Sequence, residues 1–279
     1  MEELKSSAHT QVYLINRYNN DGSISVNDVV AVEAPLQISI AFGKGESRQL
    51  KQLAITMRTP GSDDQLARGF LFTEGIINKS EDIVMIKQLE EHHVLVEMGP
   101  GFNLNEVKID RNFYMTSSCG VCGKSSIDQV HQNSSFIAPN NFQIPITTMV
   151  RLPDKLRLAQ KSFQETGGLH AAALFNTEGE LILIKEDVGR HNAADKLIGS
   201  LIKNHQNQIS KSILLLSGRA SFELIQKAAM AGIPIVASIG APSSLAIDLA
   251  IAHQMCLVGF LNAKGCNIYS SKTLIKLDD

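Results

Sequence analysis

Apolar and polar residues alternate in short stretches along the first hundred positions, which is the pattern typical of β-strands. Stretches of this kind run over residues 23–32, 36–41, 53–58, 83–89, 93–98 and 105–110. One helix is predicted over 64–77, where Leu66, Phe70 and Leu71 recur at near-helical spacing and Gly75 falls near the end. The pattern therefore predicts a strand-rich α+β unit in the N-terminal part.

Beyond residue 145, segments with helical periodicity alternate with apolar, strand-like segments. A long helix is predicted over 146–165, and Gly167 and Gly168 would end it. The strands that follow are predicted at 171–175, 180–185, 212–216, 233–238, 257–261 and 267–270, and the helices at 189–204, 221–231 and 243–255. A turn at 176–179 is predicted to return the chain from the first of these strands to the second. Strands that alternate with helices predict a parallel sheet covered by helices on both faces.

A polar, turn-rich stretch separates these two patterns and contains Ala138-Pro139-Asn140-Asn141. We therefore predict a strand-rich N-terminal domain over 1–114, a cysteine loop and linker over 115–145, and an α/β domain over 146–279. A length of 279 residues allows two domains, on the prior of roughly 100–200 residues for each.

Composition narrows the class of protein. The formal net charge of −2 argues against a general nucleic-acid binder, which carries a basic excess. Four cysteines in a chain of this length do not form a disulfide framework. No apolar run reaches about 18 residues and the N-terminus lacks an apolar signal core, so we expect neither a membrane span nor export. The predicted compartment is the cytoplasm.

The segment Ser117-Ser118-Cys119-Gly120-Val121-Cys122-Gly123 carries the most reactive chemistry that the sequence offers. Glycine after each thiol favours a mobile loop or tight turn, and Lys124 favours the thiolate form. The spacing alone is compatible with half of a zinc site, a redox couple, a sulfur carrier or two ordinary cysteines.

A structural zinc site needs four ligands. The remaining cysteines, Cys256 and Cys266, do not repeat the spacing of the pair, which weakens a site made of four thiolates. A site that combines Cys119 and Cys122 with two of His131, His170 and His191 stays open at this point.

Three strand-to-helix junctions carry small residues and guanidinium groups. They are 186–192 with Arg190 and His191, 217–221 with Ser217 and Arg219, and 240–244 with Ser243. Free N–H groups at a helix N-terminus bind phosphate, and arginine matches phosphate oxygens. One such junction is more often a simple helix cap, but three on one sheet edge favour a nucleotide-like ligand. His170 and His191 are predicted to face the same edge, where proton transfer or ligand contact suits a near-neutral pKa.

Arg58, beside the turn at Thr59-Pro60-Gly61, has the charge to bind an anionic ligand. The more common arrangement is a surface arginine next to a loop, and we favour that interpretation.

Several of these segments, in this order, resemble the formate dehydrogenase accessory sulfurtransferase (FdhD) family. The matching segments are 57–61, 69–75, 119–123, 166–170, 186–196, 217–221 and 240–244. Each match is weak alone, but jointly they are specific and span about residues 30–270.

The resemblance implies a fold and an activity. Family members take sulfane sulfur from a cysteine desulfurase as a cysteine persulfide and pass it to the molybdenum bis-molybdopterin guanine dinucleotide cofactor that formate dehydrogenase needs. Cys119 aligns with the persulfide-carrying cysteine and Cys122 with the second one. The C-terminal domain would be a three-layer α/β/α unit similar to the cytidine deaminase fold, without structural metal. A homodimer stays open.

The family also associates a late segment with the cofactor, which here is Phe260-Leu261-Asn262-Ala263-Lys264-Gly265. This chain departs from the family pattern there, since arginine is common where Asn262 and Gly265 stand. Lys264 offers a cation in the same segment that would compensate.

Two other functions remain as hypotheses. A zinc-dependent hydrolase or deaminase would need a His-x-Glu or Cys-x-Glu pattern together with the CxxC, and neither pattern occurs. A cofactor-binding chaperone would deliver the guanine dinucleotide without carrying sulfur.

Overall fold

The computed structural model describes residues 7–102, 134–204 and 206–277. The elements of the first range are β1 (Thr10–Asn19), β2 (Gly22–Ala31), β3 (Ala34–Phe42), β4 (Gln49–Arg58), α1 (Asp63–Thr73), β5 (Ile83–Glu90) and β6 (His93–Met98). The predicted strand over 105–110 lies outside the described residues.

A two-stranded antiparallel ribbon, β1 with β2, opens the described chain. A turn before Gly22 joins the two strands, and β1 was not predicted. Apolar residues of β1 fall on both faces, with Tyr13 on one and Leu14 on the other, so the period of two is blurred. Much of the ribbon faces solvent, and Tyr18 is 81% exposed.

A four-stranded sheet of order β4-β3-β6-β5 forms the body of the N-terminal part. Alternate residues of β3, Leu36, Ile38 and Ile40, point to one face and pack with Leu66 and Phe70 of α1. Pro35 lies inside β3 near its start, and the break between β2 and β3 falls at Val32 and Glu33.

The C-terminal part contains more elements in a regular order. They are β7 (Ile144–Pro145), α2 (Ile146–Met149), α3 (Leu152–Ala159), α4 (Lys161–Thr166), β8 (His170–Phe175), β9 (Leu181–Asp187), α5 (Arg190–Asn204), β10 (Ile213–Leu216), α6 (Phe222–Ala231), β11 (Ile235–Ser238), α7 (Ser244–Ala252), β12 (Cys256–Asn262), β13 (Gly265–Ser270) and β14 (Ile275–Lys276).

The single helix predicted over 146–165 is wrong, because three short helices, α2, α3 and α4, occupy this range. Proline is tolerated only in the first turn of a helix, and Pro153 lies in the first turn of α3. Gln160 then leaves the helical backbone conformation between α3 and α4.

Six strands form the C-terminal sheet in the order β13-β12-β11-β10-β8-β9. The prediction of a parallel sheet holds only for β10, β11 and β12. The pairs β8–β9, β8–β10 and β12–β13 are antiparallel, because two hairpins flank the parallel centre. The turn predicted at 176–179 is confirmed as the link of the β8–β9 hairpin, whereas strand and helix alternation could not reveal the antiparallel pairs β8–β10 and β12–β13.

Helices cover both faces of this sheet. Leu214 and Leu216 of β10 pack in the cluster that contains residues of α5, α6 and α7, whereas Ile213 and Leu215 pack with those of α2 and α3. The predicted class, a three-layer α/β/α unit beside a strand-rich α+β unit, is confirmed. The exact domain limits stay predictions. Within the described ranges, no helix is long and apolar enough to cross a membrane.

The two halves meet where α1 crosses α5. A Cβ atom on Gly199 would overlap the carbonyl oxygen of Gln65, and one on Gly69 would overlap that of Asp195. The helices therefore touch backbone to backbone, which only glycine permits. This close crossing places the N-terminal half against the first turns of α5.

Candidate functional site

The three predicted junctions lie on one edge of the six-stranded sheet. Because β9, β10 and β11 run in the same direction, their carboxyl ends meet there. Hydrogen bonds join the loops: the Gly240 N–H donates to the Gly218 carbonyl at 3.0 Å and the Phe260 N–H to the Gly240 carbonyl at 3.1 Å. The predicted proximity is confirmed, whereas ligand binding by these residues stays a prediction.

The thiols to which the sequence assigns the chemistry, Cys119 and Cys122, lie outside the described residues. His131, considered as a zinc ligand, lies outside them as well. Of the predicted site, the described residues therefore include only the sheet edge where the three junctions meet, which we call the ligand edge.

Helix α5 begins at Arg190, directly beyond the end of β9. The Gly189 N–H donates to Asp187 Oδ1 at 2.8 Å, which fixes the chain at the entry to the helix. Arg190 Nε is buried and has no hydrogen-bond partner among the residues that the structure describes. A buried donor without a partner is costly, so a ligand oxygen at this point would satisfy it.

His170 starts β8 beside the same junction, where it is the register partner of Asp187. Burial lowers the pKa of His170, and the charges of Arg190 and His191 lower it further, while Asp187 acts in the opposite direction. The imidazole is therefore neutral at neutral pH, with one donor and one acceptor nitrogen.

Helix α6 differs from the other two because an acidic group lies in its first turn. Glu223 Oε2 is 2.7 Å from His191 Nε2, and Ser221 Oγ is 3.3 Å from the same nitrogen. A carboxylate already interacts favourably with the helix N-terminus. Of the three predicted phosphate positions, the structure therefore favours those at α5 and α7, neither of which has an acidic first turn.

Helix α7 is capped by Ser243, whose Oγ accepts a hydrogen bond from the Ala246 N–H at 3.3 Å. The guanidinium of Arg219 is exposed beside this junction. A Cβ on Gly240 would lie 3.1 Å from both the Gly218 carbonyl oxygen and Arg219 Cγ. Gly240 thus lets the two loops approach closely, and Ser217 ties them to β8 by accepting the Ala171 N–H at 2.8 Å.

The segment 260–265 comprises the end of β12, the turn at Ala263 and Lys264, and the start of β13 at this edge. Phe260 adopts a left-handed φ of 54° and is 47% exposed. An outlier of this kind is retained only where the surroundings enforce it, and such outliers cluster at ligand sites. Asn262 closes the turn through the Lys264 N–H, and Ala263 is exposed beside it, whereas Leu261 packs into the core and offers a ligand only its backbone.

The structure corrects both interpretations of Arg58. Its side chain is 1% exposed and forms two hydrogen bonds with the carboxylate of Asp63, at 2.9 and 2.8 Å. It is therefore neither a surface residue nor an anion-binding group, but half of a buried ion pair that closes the loop between β4 and α1.

Sequence reasoning missed the residues that hold this edge from behind. Thr59, Asp187 and Lys196 form one buried group, although 128 positions separate Thr59 from Asp187. The only signal in the sequence is that Asp187 and Lys196 are charged residues next to apolar positions, one just after a predicted strand and one in the helix that follows it. The partner in the N-terminal half is visible only in the folded chain.

Comparisons with known proteins identify sequences and a structure that this chain resembles. The sequence matches the family model described as the FdhD/NarQ family over residues 31–276. A protein of Streptomyces coelicolor named sulfur carrier protein FdhD is 44% identical over 269 residues, which cover 92% of this chain and 93% of that protein. A protein of the same name from Picrophilus torridus is 46% identical over 245 residues, covering 88% of this chain and 91% of the relative.

A solved structure shows the same fold. It comes from Desulfotalea psychrophila and is provisionally described as a formate dehydrogenase accessory protein. It superposes with a TM-score of 0.73 at 22% identity, covering 96% of this chain and all of the other.

Proposed function

The chain belongs to the FdhD/NarQ family, and from this premise we propose that it is a sulfur carrier that supports formate dehydrogenase. In this proposal it takes sulfane sulfur from a cysteine desulfurase and holds it as a persulfide on Cys119. The acceptor is the molybdenum bis-molybdopterin guanine dinucleotide cofactor. The name sulfur carrier, which relatives above 40% identity bear, is the observation that carries the proposal.

The loading step is ordinary thiol exchange. The Cys119 thiolate attacks the outer sulfur of the donor's persulfide, a new sulfur–sulfur bond forms, and the donor cysteine leaves as a thiolate. The step consumes no external oxidant or reductant. Cys122, three positions away, is proposed to assist the transfer or protect the persulfide.

The other two thiols are poorly suited to this reaction. Cys256 is fully buried, and burial raises its pKa to about 12. Burial also raises the pKa of Cys266. Because the thiolate is the nucleophile, both are weak candidates at neutral pH, and carriage falls to Cys119 and Cys122.

The chemistry of the sheet edge fits the phosphates of a guanine dinucleotide. Arg190 supplies a buried donor that lacks a partner among the described residues, and the N-termini of α5 and α7 lack acidic groups. Arg219 and Phe260 add an exposed guanidinium and an exposed ring. When bound, the cofactor would supply the molybdenum centre that accepts sulfur, while these residues bind and orient its nucleotide part.

Mass spectrometry of the purified protein tests carriage directly. After incubation with a cysteine desulfurase and free cysteine, we expect an added mass of one sulfur atom on Cys119. Cys119→Ala should abolish the adduct there, and Cys266→Ala, the matched control, should retain it. The proposal fails when the wild type never gains sulfur, or when Cys119→Ala/Cys122→Ala gains as much as the wild type.

The same measurement separates the two remaining hypotheses. Bound zinc without an adduct would support a hydrolase or deaminase. Guanine-nucleotide binding with neither zinc nor adduct would support a chaperone that delivers the cofactor without carrying sulfur.

A further inference from the structure

One buried carboxylate joins the two halves of the molecule at the ligand edge. Asp187 Oδ2 accepts a hydrogen bond from the Thr59 N–H at 3.2 Å and lies 2.6 Å from Lys196 Nζ. Its other oxygen, Oδ1, accepts the Gly189 N–H at 2.8 Å. A single side chain thus contacts the N-terminal half and the entry to α5 at once.

Thr59 completes this group from the other side. Its Oγ1 accepts a hydrogen bond from the Val188 N–H at 3.1 Å, and its carbonyl oxygen accepts one from Lys196 Nζ at 2.7 Å. Next to it, the Met57 carbonyl accepts a bond from Asn192 Nδ2 at 2.7 Å. The end of β4 and the following loop therefore satisfy several polar groups at the β9–α5 junction.

We propose that Thr59 and Asp187 are positioning residues through which the N-terminal half sets the direction of Arg190 and His170 toward an anionic ligand. This inference rests on the proposed function, because it takes a guanine nucleotide as the ligand at the edge. Neither residue contacts that ligand in the proposal, and both act through the backbone of residues 187–190.

The geometry explains how Thr59 and Asp187 would influence Arg190 and His170. Asp187 fixes the Gly189 N–H, and Arg190 is the next residue, so a shift of the carboxylate moves the start of α5. His170 is the register partner of Asp187 across β8 and β9, and the charge of Asp187 acts on its imidazole, so a shift of the carboxylate would change the electrostatic environment of His170. Misplacement of a binding group by about 1 Å costs a large factor in ligand interaction, because such contacts depend steeply on geometry.

A matched pair of substitutions tests the proposal. Thr59→Val keeps the backbone bonds of Thr59 but removes the acceptor for Val188. Thr73→Val also removes a threonine hydroxyl that joins the same halves, here one that donates to Asp195 Oδ1 at 2.8 Å and accepts from Lys227 Nζ at 2.8 Å, further along α5. Calorimetric titration with GDP should show about threefold to tenfold weaker binding for Thr59→Val. Thr73→Val should stay within about twofold of the wild type, given the same scale of effects.

A second measurement needs no ligand. We expect the imidazole resonance of His170, and the pH at which it titrates, to move in Thr59→Val and to stay unchanged in Thr73→Val. An unmoved His170, or equal GDP losses in the two variants, overturns the positioning role. Wild-type protein that fails to bind GDP would count against the guanine-nucleotide ligand instead, and the His170 titration would still decide the positioning role.

Discussion

Helix α5 takes part in two regions with opposite character. Along its middle, Asp195 meets Lys227 Nζ at 3.0 Å through both carboxylate oxygens, with Thr73 and Glu74 of the N-terminal half around them. At its start, Arg190 keeps a buried nitrogen without a partner among the described residues, and His170 is half-buried. Polar groups that are matched internally hold the halves together, whereas the unmatched nitrogen of Arg190 is available to the proposed ligand.

The pKa of Lys227, which contacts the middle of α5, is determined by the acidic groups that surround it. Burial alone would lower the pKa of Lys227, but the charges of Asp195 and Glu74 outweigh burial and raise it. Lys227 is therefore charged at neutral pH, and it neutralises part of the buried negative charge.

Replacing Lys227 should have the largest effect, because Lys227→Met leaves Asp195 and Glu74 buried without their cation. Breaking a buried pair from one side costs about 3–5 kcal/mol in the free energy of unfolding. Urea unfolding followed by circular dichroism measures the loss. Lys227→Met/Asp195→Asn, which also removes a buried charge, should regain part of it, and a loss below about 1 kcal/mol in the single variant would mean that the pair is not buried as described.

The helix crossing should be the next most sensitive feature. Gly199→Ala forces α5 away from Gln65 of α1, and overpacking of this kind costs about 1–3 kcal/mol. Ser200→Ala, one residue along the same helix, serves as the control and should cost much less. Equal unfolding midpoints for the two variants would contradict the backbone contact between the helices.

Replacing His170 at the ligand edge should have the smallest effect on stability. This effect should appear in how the free energy of unfolding depends on pH. The pKa of His170 is lower in the folded protein than in the unfolded chain, so the unfolded chain gains a proton first as pH falls below about 6.5. The free energy of unfolding should therefore fall on acidification through this window. His170→Gln should flatten the slope between about pH 7.5 and 5.5, and an unchanged slope would show that His170 does not titrate abnormally.

The parts of the fold that were predictable are those with a local signal. The continuous apolar run Ile213–Leu216 predicted a strand buried on both faces, and it is the centre of the sheet. The ribbon strand β1 was missed because its apolar residues share no face. The antiparallel pairing of β13 was missed because pairing partners are not encoded in any local period.

The candidate site divides in the same way. The junctions around Arg190, Ser217 and Ser243 were predictable, since each follows an apolar strand and opens a helix. The buried pairing of Arg58 with Asp63 could not be distinguished from an exposed arginine, because burial depends on packing by distant segments. The contact of Thr59 with Asp187 needed the folded chain for the same reason.

The glycine contact between α1 and α5 also bears on how genetic data for this protein should be interpreted. Every amino-acid replacement at Gly69 or Gly199 introduces a side chain where there is no room for one. A screen for lost activity should therefore recover these two positions as well as Cys119, the proposed sulfur carrier, although neither glycine belongs to the proposed sulfur chemistry. Measuring protein abundance in each hit separates defects in assembly from defects in chemistry.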